Sequence, residues 1–368
     1  MPANIPWWQP EVGGAEHELL RSVLDSNFLN DGELTTRFEA EIARLIGAPH
    51  AVAVTSGTTA ITLALLGLGI GSGDEVVVPD VTFIATANAV TLTGAKPVLA
   101  DVDAATLCLA PEALRRVLTP RTRAVVPVHV SGRGGTLAAV LAVAREHGLC
   151  VVEDAAEALG SRHGGRPLGL HGDAGCFSFS PNKTITTGQG GMIVTRDARL
   201  HARLRELKDQ GRPVRGTGGD DAHPTLGFNF KFTNLQAAVG LGQLQYFARR
   251  VERQQAIYRL YRDALRDVPG VRVFPCGVDE GEIPQWTDVD ADDRDGLDRH
   301  LAAAGCHCRR FWHPLHTQPP YRGPDAAYPV ATRAAPRALW LPSAFQLTDA
   351  QVGRVADEVR RHYHDRAR

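Results

Sequence analysis

Long apolar segments are missing from this chain of 368 residues, because no run approaches the roughly 20 residues needed to cross a bilayer. Neither sign of charge is in excess. The net charge is −1, so no basic surface is predicted for nucleic acid or an anionic membrane. Residues 1–10 show no basic-then-apolar signal pattern. We therefore expect a cytoplasmic protein with neither a membrane nor a nucleic acid as partner.

Cysteine is also scarce. The six cysteines are scattered along the chain, which argues against the disulfide framework of a small secreted domain. Cys306, His307 and Cys308, with His313 and His316 nearby, raise the alternative of a zinc site. Their spacing differs from standard sites, because one residue separates the cysteines and the histidines follow too closely. We expect packing at a strand end here and no metal site.

The chain is long enough for two domains, a large one over residues 1–245 and a smaller carboxyl-terminal one over 246–368. In the first half, short valine-rich runs alternate with helical patterns. This alternation predicts an α/β fold with a mainly parallel sheet covered on both faces. The predicted strands are Ala51–Thr55, Glu75–Val78, Lys96–Ala100, Arg123–Val128 and Cys150–Val152.

Two helices are predicted from their flanking signals. Thr36 and Glu39 have the spacing of a capping box, and Gly47 ends that helix. A long helical pattern runs from Asn234 to about Leu265 and is expected to link the two domains. The charged cluster Arg249–Arg253 on it is interpreted as a solvated face.

Two glycine-rich segments need an interpretation. Residues 67–73 (GLGIGSG) raise the alternative of a nicotinamide oxidoreductase. They follow a helix and precede a strand, which reverses the context of the dinucleotide fingerprint, so a helix end and a turn are expected. Residues 210–225 are predicted to form a loop that covers the substrate.

Polar residues follow two of the predicted strands, where ligands collect in open α/β sheets. Ser56, Gly57 and Thr58 lie where a strand meets a helix. Their backbone amides and hydroxyls suit a phosphate, although an ordinary helix cap is the alternative. Asp154 directly follows a buried valine strand, and its charge needs a partner there unless it only caps a helix. A pyridinium nitrogen is such a partner.

Lys183 lies in the segment FSFSPNKTITTGQGG, residues 177–191. Aromatic and small residues flank this lysine, and glycine-rich backbone follows it. An amine in a poorly hydrated pocket loses its proton more readily and then acts as nucleophile and base. A surface lysine is the alternative, and the apolar flank argues against it.

Together these motifs resemble the DegT/DnrJ/EryC/StrS family of sugar aminotransferases. The resemblance covers nearly the whole chain and is carried by residues 28–32 (FLNDG), 79–89 (PDVTFIATANA), 177–191, 227–231 (GFNFK) and 313–316 (HPLH). It implies the type I fold of pyridoxal-phosphate enzymes. That fold has a mixed, mainly parallel seven-stranded sheet between helices, with a smaller α+β domain at the carboxyl end.

The resemblance also implies roles for the residues. Lys183 is expected to form the Schiff base with pyridoxal phosphate, and Asp154 to pair with the pyridine nitrogen. Both are therefore the expected catalytic residues. The expected ligands of the cofactor phosphate are Ser56, Gly57, Thr58 and Ser178.

Further contacts follow from the same resemblance. Phe83 is expected to stack on the cofactor ring, and Asn229 to reach the cofactor phosphate of the neighbouring subunit, so that a homodimer shares its active sites. Glu157 stands where relatives commonly carry glutamine or histidine near the ring's phenolic oxygen, which leaves its hydrogen-bond role open. His316 and Phe28 are expected to contact the substrate.

The implied reaction moves an amino group from an amino acid, by analogy glutamate, to a keto group of a nucleotide-linked deoxy sugar. Amination of a keto-inositol in aminoglycoside biosynthesis is the alternative. Sugar dehydratases of the family carry histidine in place of Lys183, which argues against that branch. A sensor without turnover is disfavoured because Lys183, Asp154 and Ser178 are all present.

Three other residues have less specific interpretations. His129 follows a predicted strand, and a structural role is favoured over a catalytic one. Trp7 and Trp8 are expected to pack the amino-terminal arm across the dimer, with a place at the substrate entrance as the alternative.

Overall fold

The computed structural model describes residues 4–213 and 221–366. Part of the predicted covering loop, residues 214–220, lies outside them. None of the helices within these ranges is long and apolar enough to cross a membrane.

A seven-stranded sheet forms the centre of the first half of the chain. Its strand order is β1-β9-β8-β5-β4-β2-β3, with β9 antiparallel to both neighbours and the other pairings parallel. This confirms the predicted mainly parallel sheet. The bounds are β1 His50–Val54, β2 Glu75–Pro79, β3 Lys96–Ala100, β4 Thr122–Val125, β5 Cys150–Asp154, β8 Ala174–Ser178 and β9 Gly191–Thr195. Two-residue strands β6 Arg162–His163 and β7 Arg166–Pro167 pair separately.

The central strands are apolar because helices cover the sheet on both faces. Every residue of β2 and β9 is buried. The helices of this half are α1 Ala15–Ser26, α2 Glu33–Ile46, α3 Gly57–Gly67, α4 Ala85–Leu92, α5 Pro111–Val117, α6 Leu137–Glu146, α7 Ala198–Lys208 and α8 Asn234–Leu244. Beyond α3, Gly69 and Gly73 have positive φ angles of 79° and 92°, in agreement with the predicted helix end and turn.

The start of α2 corrects the predicted capping box. The helix begins at Glu33, and the Thr36 hydroxyl donates to the Gly32 carbonyl inside its first turns. Glu39 is buried and pairs with Lys208, with 3.2 Å between Oε1 and Nζ. The capping box is wrong because this carboxylate is needed to neutralise a buried lysine. Gly47 ends the helix as predicted, with φ +76°.

The predicted long helix is divided in two. α8 ends at Leu244, and α9 runs over Phe247–Leu265. The solvated interpretation of the Arg249–Arg253 cluster is wrong for Arg250, which is 1% exposed. Its guanidinium donates to Gln243 Oε1 at 2.6 Å and to the Thr184 carbonyl at 3.0 Å, so burial leaves these donors satisfied.

A smaller antiparallel sheet follows, in the order β10-β11-β13-β12. Its strands are β10 Val271–Val273, β11 Asp288–Ala291, β12 Arg309–Arg310 and β13 Ala338–Trp340, and its helices are α10 Arg294–Ala303, α11 Pro329–Ala334 and α12 Asp349–Arg366. Ile5 joins the core of this half and forms a β-bridge with Cys306. His307 bonds Asn4, with 2.6 Å between Nε2 and Oδ1. The boundary between residues 245 and 246 stays a prediction.

A buried ion pair joins the two halves. Arg133 follows β4, and both its terminal nitrogens donate to Asp288 on β11, at 2.7 and 2.9 Å. Both side chains are 2% exposed. Arg133 also donates to the Thr106 carbonyl at 3.0 Å, so the guanidinium is well satisfied. Because the pair is bidentate and dry, it fixes the position of one sheet relative to the other.

Replacing Asp288 by alanine should lower the free energy of unfolding by about 3–5 kcal/mol, because Arg133 would keep a buried charge without its partner. Chemical denaturation followed by circular dichroism measures the loss. The exposed pair of Arg115 and Glu146 offers the control, and Arg115→Ala should leave stability unchanged. Equal stability of the Asp288→Ala variant and the wild type would contradict this view of the pair.

Candidate active site

A cleft of about 300 Å³ lies at the carboxyl ends of the parallel strands, where the loops after β1, β2, β5 and β8 converge. Open α/β sheets collect ligands at this edge. Residues 286, 309, 312 and 340 close the opposite side. The lining residues are Ser56, Gly57, Thr58, Ile61, Thr82, Phe83, Ala85, Thr86, Val128, Asp154, Ala156, Glu157, Ser178, Ser180, Asn182, Lys183, Gln189, Trp286, Arg309, Trp312 and Trp340.

The start of α3 forms one end of the cleft. Ser56 caps this helix with its side chain, which leaves other first-turn amides of α3 available to an anion. Glycine is required nearby for close packing. A Cβ on Gly57 would lie 3.0 Å from Ser178 Cβ, and a Cβ on Gly191 would lie 2.2 Å from the Ser56 carbonyl oxygen. This approach brings the Ser178 hydroxyl beside the helix start.

Asp154 ends β5 and is 7% exposed. Its carboxylate accepts hydrogen bonds from the Thr86 hydroxyl at 2.7 Å and from the Ala156 amide at 3.2 Å. Burial raises the pKa of Asp154 above its ordinary value, and these hydrogen bonds offset the rise only in part. Within the described residues no cation donates to this carboxylate, so a cationic ligand in the cleft would supply the missing charge.

Lys183 and Glu157 form an ion pair in the cleft, with 3.2 Å between Nζ and Oε1. The lysine side chain is 11% exposed, and its Nζ lies 4.8 Å from the centroid of the Trp286 ring. Glu157 also accepts a hydrogen bond from the Ser131 amide at 2.8 Å. Burial raises the pKa of Glu157, while Lys183 and the Ser131 amide oppose the shift.

His129 and Glu153 form a buried pair behind the cleft, with 2.8 Å between Nε2 and Oε2. Glu153 also accepts from the amides of Gly169, His171 and Gly172 at 2.6–2.8 Å. Burial alone would raise the pKa of Glu153, but these partners lower it overall. Neither side chain is among the lining residues, in agreement with a structural His129. Glu153 was not predicted, although its place next to Asp154 on a strand puts it on the opposite face.

The predicted cofactor residues can now be placed. Eight of them line the cleft, namely Ser56, Gly57, Thr58, Phe83, Asp154, Glu157, Ser178 and Lys183. Asn229 and Phe28 are exposed and lie outside the lining, so their predicted contacts to a partner subunit and a substrate stay predictions.

His316 does not occupy the predicted position. It is 0% exposed, and its Nδ1 lies 2.6 Å from Asp80 Oδ2. The Asp80 carboxylate also accepts from the His316 backbone amide at 2.8 Å. The expected substrate contact is wrong because this side chain is used inside the protein.

The five tryptophans of the chain gather on one side of the cleft. Trp286, Trp312 and Trp340 line it, and the ring centroids of Trp7 and Trp286 are 5.3 Å apart. Trp8 packs on Phe345 and donates from its ring nitrogen to the Pro181 carbonyl at 3.1 Å. Trp7 and Trp8 therefore pack within the chain, and their expected packing across a dimer stays a prediction. The sequence did not indicate this cluster, because its members come from distant segments.

The site fits pyridoxal phosphate. An anion site at the start of α3 suits the phosphate, the buried Asp154 suits a protonated ring nitrogen, and Lys183 offers an amine. Phe83 lines the same cleft and is 54% exposed, so its ring offers a surface on which a cofactor ring could stack.

Comparison with known proteins agrees with this geometry. The sequence matches the DegT/DnrJ/EryC1/StrS aminotransferase family over residues 10–360. A GDP-perosamine synthase from Caulobacter vibrioides is 38% identical over 355 residues, 94% of this chain and 95% of that protein. The structure of the aminotransferase TlmJ from Streptoalloteichus hindustanus has a TM-score of 0.91 at 34% identity and covers 99% of this chain and 100% of that one. The structure of DesI in the presence of its TDP-sugar product has a TM-score of 0.89 at 36% identity, over 99% of this chain and 95% of that one.

The raised pKa of Asp154 predicts how stability depends on pH. A folded-state pKa above the unfolded value favours the folded protein at low pH, and this stability is lost as pH rises through the folded pKa. In cofactor-free protein the free energy of unfolding should therefore fall from about pH 4 up to the folded pKa, by at most about 1.4 kcal/mol per pH unit from this group. In the cofactor-loaded protein the free energy of unfolding should fall less over the same pH range, because a cationic ring would pair with the ionised carboxylate.

Denaturation of both forms across this pH range provides the measurement. The Asp154→Asn variant should lose this part of the slope. Asp279→Asn, which changes an exposed ion pair with Arg259, should keep the wild-type slope. An unchanged slope in Asp154→Asn would show that this carboxylate is not the titrating group.

Proposed function

This chain belongs to the DegT/DnrJ/EryC1/StrS aminotransferase family, and we propose that it transfers an amino group from an amino acid to a keto group of a nucleotide-linked deoxy sugar. It is a pyridoxal-phosphate-dependent aminotransferase. The observation that carries the proposal is Lys183 in the cleft with Asp154, in a chain whose relatives include a GDP-perosamine synthase and DesI with a TDP-sugar product. These names favour a nucleotide sugar over a keto-inositol as the acceptor.

Each of three residues in the cleft has its own proposed role in the reaction. Bound pyridoxal phosphate supplies an aldehyde and an electron-withdrawing ring. Asp154 would hold the proton on the ring nitrogen, because no cation among the described residues donates to its carboxylate. Lys183 moves a proton at the substrate carbon once its amine is free. Glu157 accepts a hydrogen bond from that amine and holds it in the cleft.

We propose L-glutamate as the amino donor, by analogy with the family. We also propose that the protein is located in the cytoplasm. We also propose a homodimer with shared active sites. Exposed apolar side chains near each other in sequence support it, because apolar surface that a single chain exposes often marks a contact with another protein chain. Leu226 is 93% exposed, Phe28 56% and Leu29 44%. Asn229 is exposed, follows Leu226 by three residues in sequence and does not line the cleft of its own chain.

The amination itself is tested by offering L-glutamate with either a GDP-linked 4-keto sugar or a keto-inositol. Mass spectrometry should detect the aminated nucleotide sugar and no aminated inositol. Amination of the inositol alone would overturn the proposed substrate class and leave the aminotransferase assignment in place.

Replacing Lys183 by alanine should abolish turnover, since the variant has no amine to bind the cofactor covalently or to move the proton. Borohydride reduction followed by peptide mass spectrometry should place the cofactor mass on the Lys183 peptide of the wild type and on no peptide of the variant. The control is Lys96→Ala, since Lys96 is an exposed residue in an ion pair with Glu75. Full activity in Lys183→Ala would contradict the assignment.

Shared sites are tested by mixing two impaired variants, Lys183→Ala and Asn229→Ala. Random assortment makes half of the dimers hybrids, and each hybrid has one site with both native residues. About a quarter of wild-type activity is therefore expected after co-expression. Each variant expressed alone provides the baseline. Activity no higher than the mean of the two baselines would argue that each chain builds its site alone.

A further inference from the structure

Among the described residues, four charged side chains line the cleft, and three of them have a proposed role with the cofactor. Lys183 pairs with Glu157, and Asp154 faces the cofactor. The fourth, Arg309, comes from β12 in the second half of the chain. Within the described residues no carboxylate pairs with it, so the cleft contains one cation without a matching anion.

Aromatic rings hold Arg309 in place. Its guanidinium carbon lies 4.9 Å from the centroid of the Trp7 ring and 5.7 Å from that of Trp340. Trp340 is also its partner in the register of β12 and β13. The next residue, Arg310, bonds Asp298 at 2.8 Å, away from the cleft. Because successive side chains on a strand point to opposite faces, Arg310 points away from the cleft and Arg309 faces it.

Stacking leaves the hydrogen-bonding edge of a guanidinium free. Ring contacts use its flat faces, whereas its five N–H donors lie in the plane and match the two oxygens of a carboxylate or phosphate. Arg309 is exposed, but its contacts with two rings restrict the side chain, so it loses less freedom on binding an anion than an arginine without such contacts. Arg309 is thus prepared for an anionic oxygen group that enters the cleft.

We propose that Arg309 binds the anionic group of a substrate, either the carboxylate of the amino donor or the diphosphate of the nucleotide-linked acceptor. The proposal rests on the proposed function, since both substrates must use this cleft in turn and both carry anionic oxygens. The cofactor phosphate has a separate anion site at the start of α3. Arg309 is therefore available to the substrates.

The test compares Arg309→Gln with the neighbouring control Arg310→Gln in the cofactor-loaded enzyme. One arm measures the apparent affinity for L-glutamate in the first half-reaction, by the change in cofactor absorbance. The other measures binding of GDP to the loaded enzyme by titration calorimetry, which needs no turnover. Arg309→Lys is the second variant, because it keeps the charge and loses the forked geometry.

Arg309→Gln should weaken one of the two affinities by roughly tenfold to a hundredfold, as for loss of a charge-assisted hydrogen-bonded pair. Loss in the glutamate arm assigns the arginine to the carboxylate, and loss in the GDP arm assigns it to the diphosphate. Arg309→Lys should recover part of that loss. Arg310→Gln should match the wild type in both arms.

If Arg309→Gln retains both affinities within twofold while the wild type aminates its acceptor, the anion site is wrong and the proposed function stands. If the wild type itself shows neither half-reaction, the proposed function is wrong instead. Cofactor absorbance equal to that of the wild type shows that each variant is folded and loaded.

Discussion

A carboxylate buried at the end of a parallel strand is the constraint around which the site is arranged. Asp154 is removed from water, and its donors in the part of the chain that the structure describes are one hydroxyl and one amide. An ionised group in such a place needs positive charge nearby. The fold leaves that charge to a ligand. Because the carboxylate is fixed by β5, the sheet would orient any cationic ring that pairs with it. Lys183 and α3 would then act on a ring held in one position.

Hydrogen bonds connect the carboxyl ends of the parallel strands, where Asp154 lies, to the second half of the chain. Glu157 accepts from the Ser131 amide, and the Ser131 hydroxyl lies 3.3 Å from Asp288, the partner of Arg133. Ser131 has a φ of +50°, in the left-handed region that non-glycine residues seldom adopt. Packing from both halves therefore holds a strained residue in place. The position of the amine in the cleft depends on contacts made by both sheets.

The sequence predicts what is local and misses what is long-range. The strands, the placement of Asp154 at a strand end, and the lining positions of Lys183 and Ser178 follow from short motifs and their order. Arg250 and His316 were misjudged because their partners lie far away in sequence. The same holds for Glu39, which serves a buried lysine, although its spacing is typical of a helix cap. A pattern of spacing cannot show which distant group will neutralise a charge.

The two sides of the cleft differ in origin in a way that bears on specificity. The residues that suit the cofactor lie between positions 56 and 189, on the loops of the parallel sheet, whereas residues 286, 309, 312 and 340 come from the later part of the chain. If the first set holds the cofactor as proposed, it is constrained by a group that is the same for every substrate. In the second set, Trp286 contacts the Lys183 amine, with 4.8 Å between Nζ and the ring centroid, and the other three residues have no assigned contact with the cofactor. Substitutions at those three positions could therefore change which substrate fits while the strand ends stay unchanged.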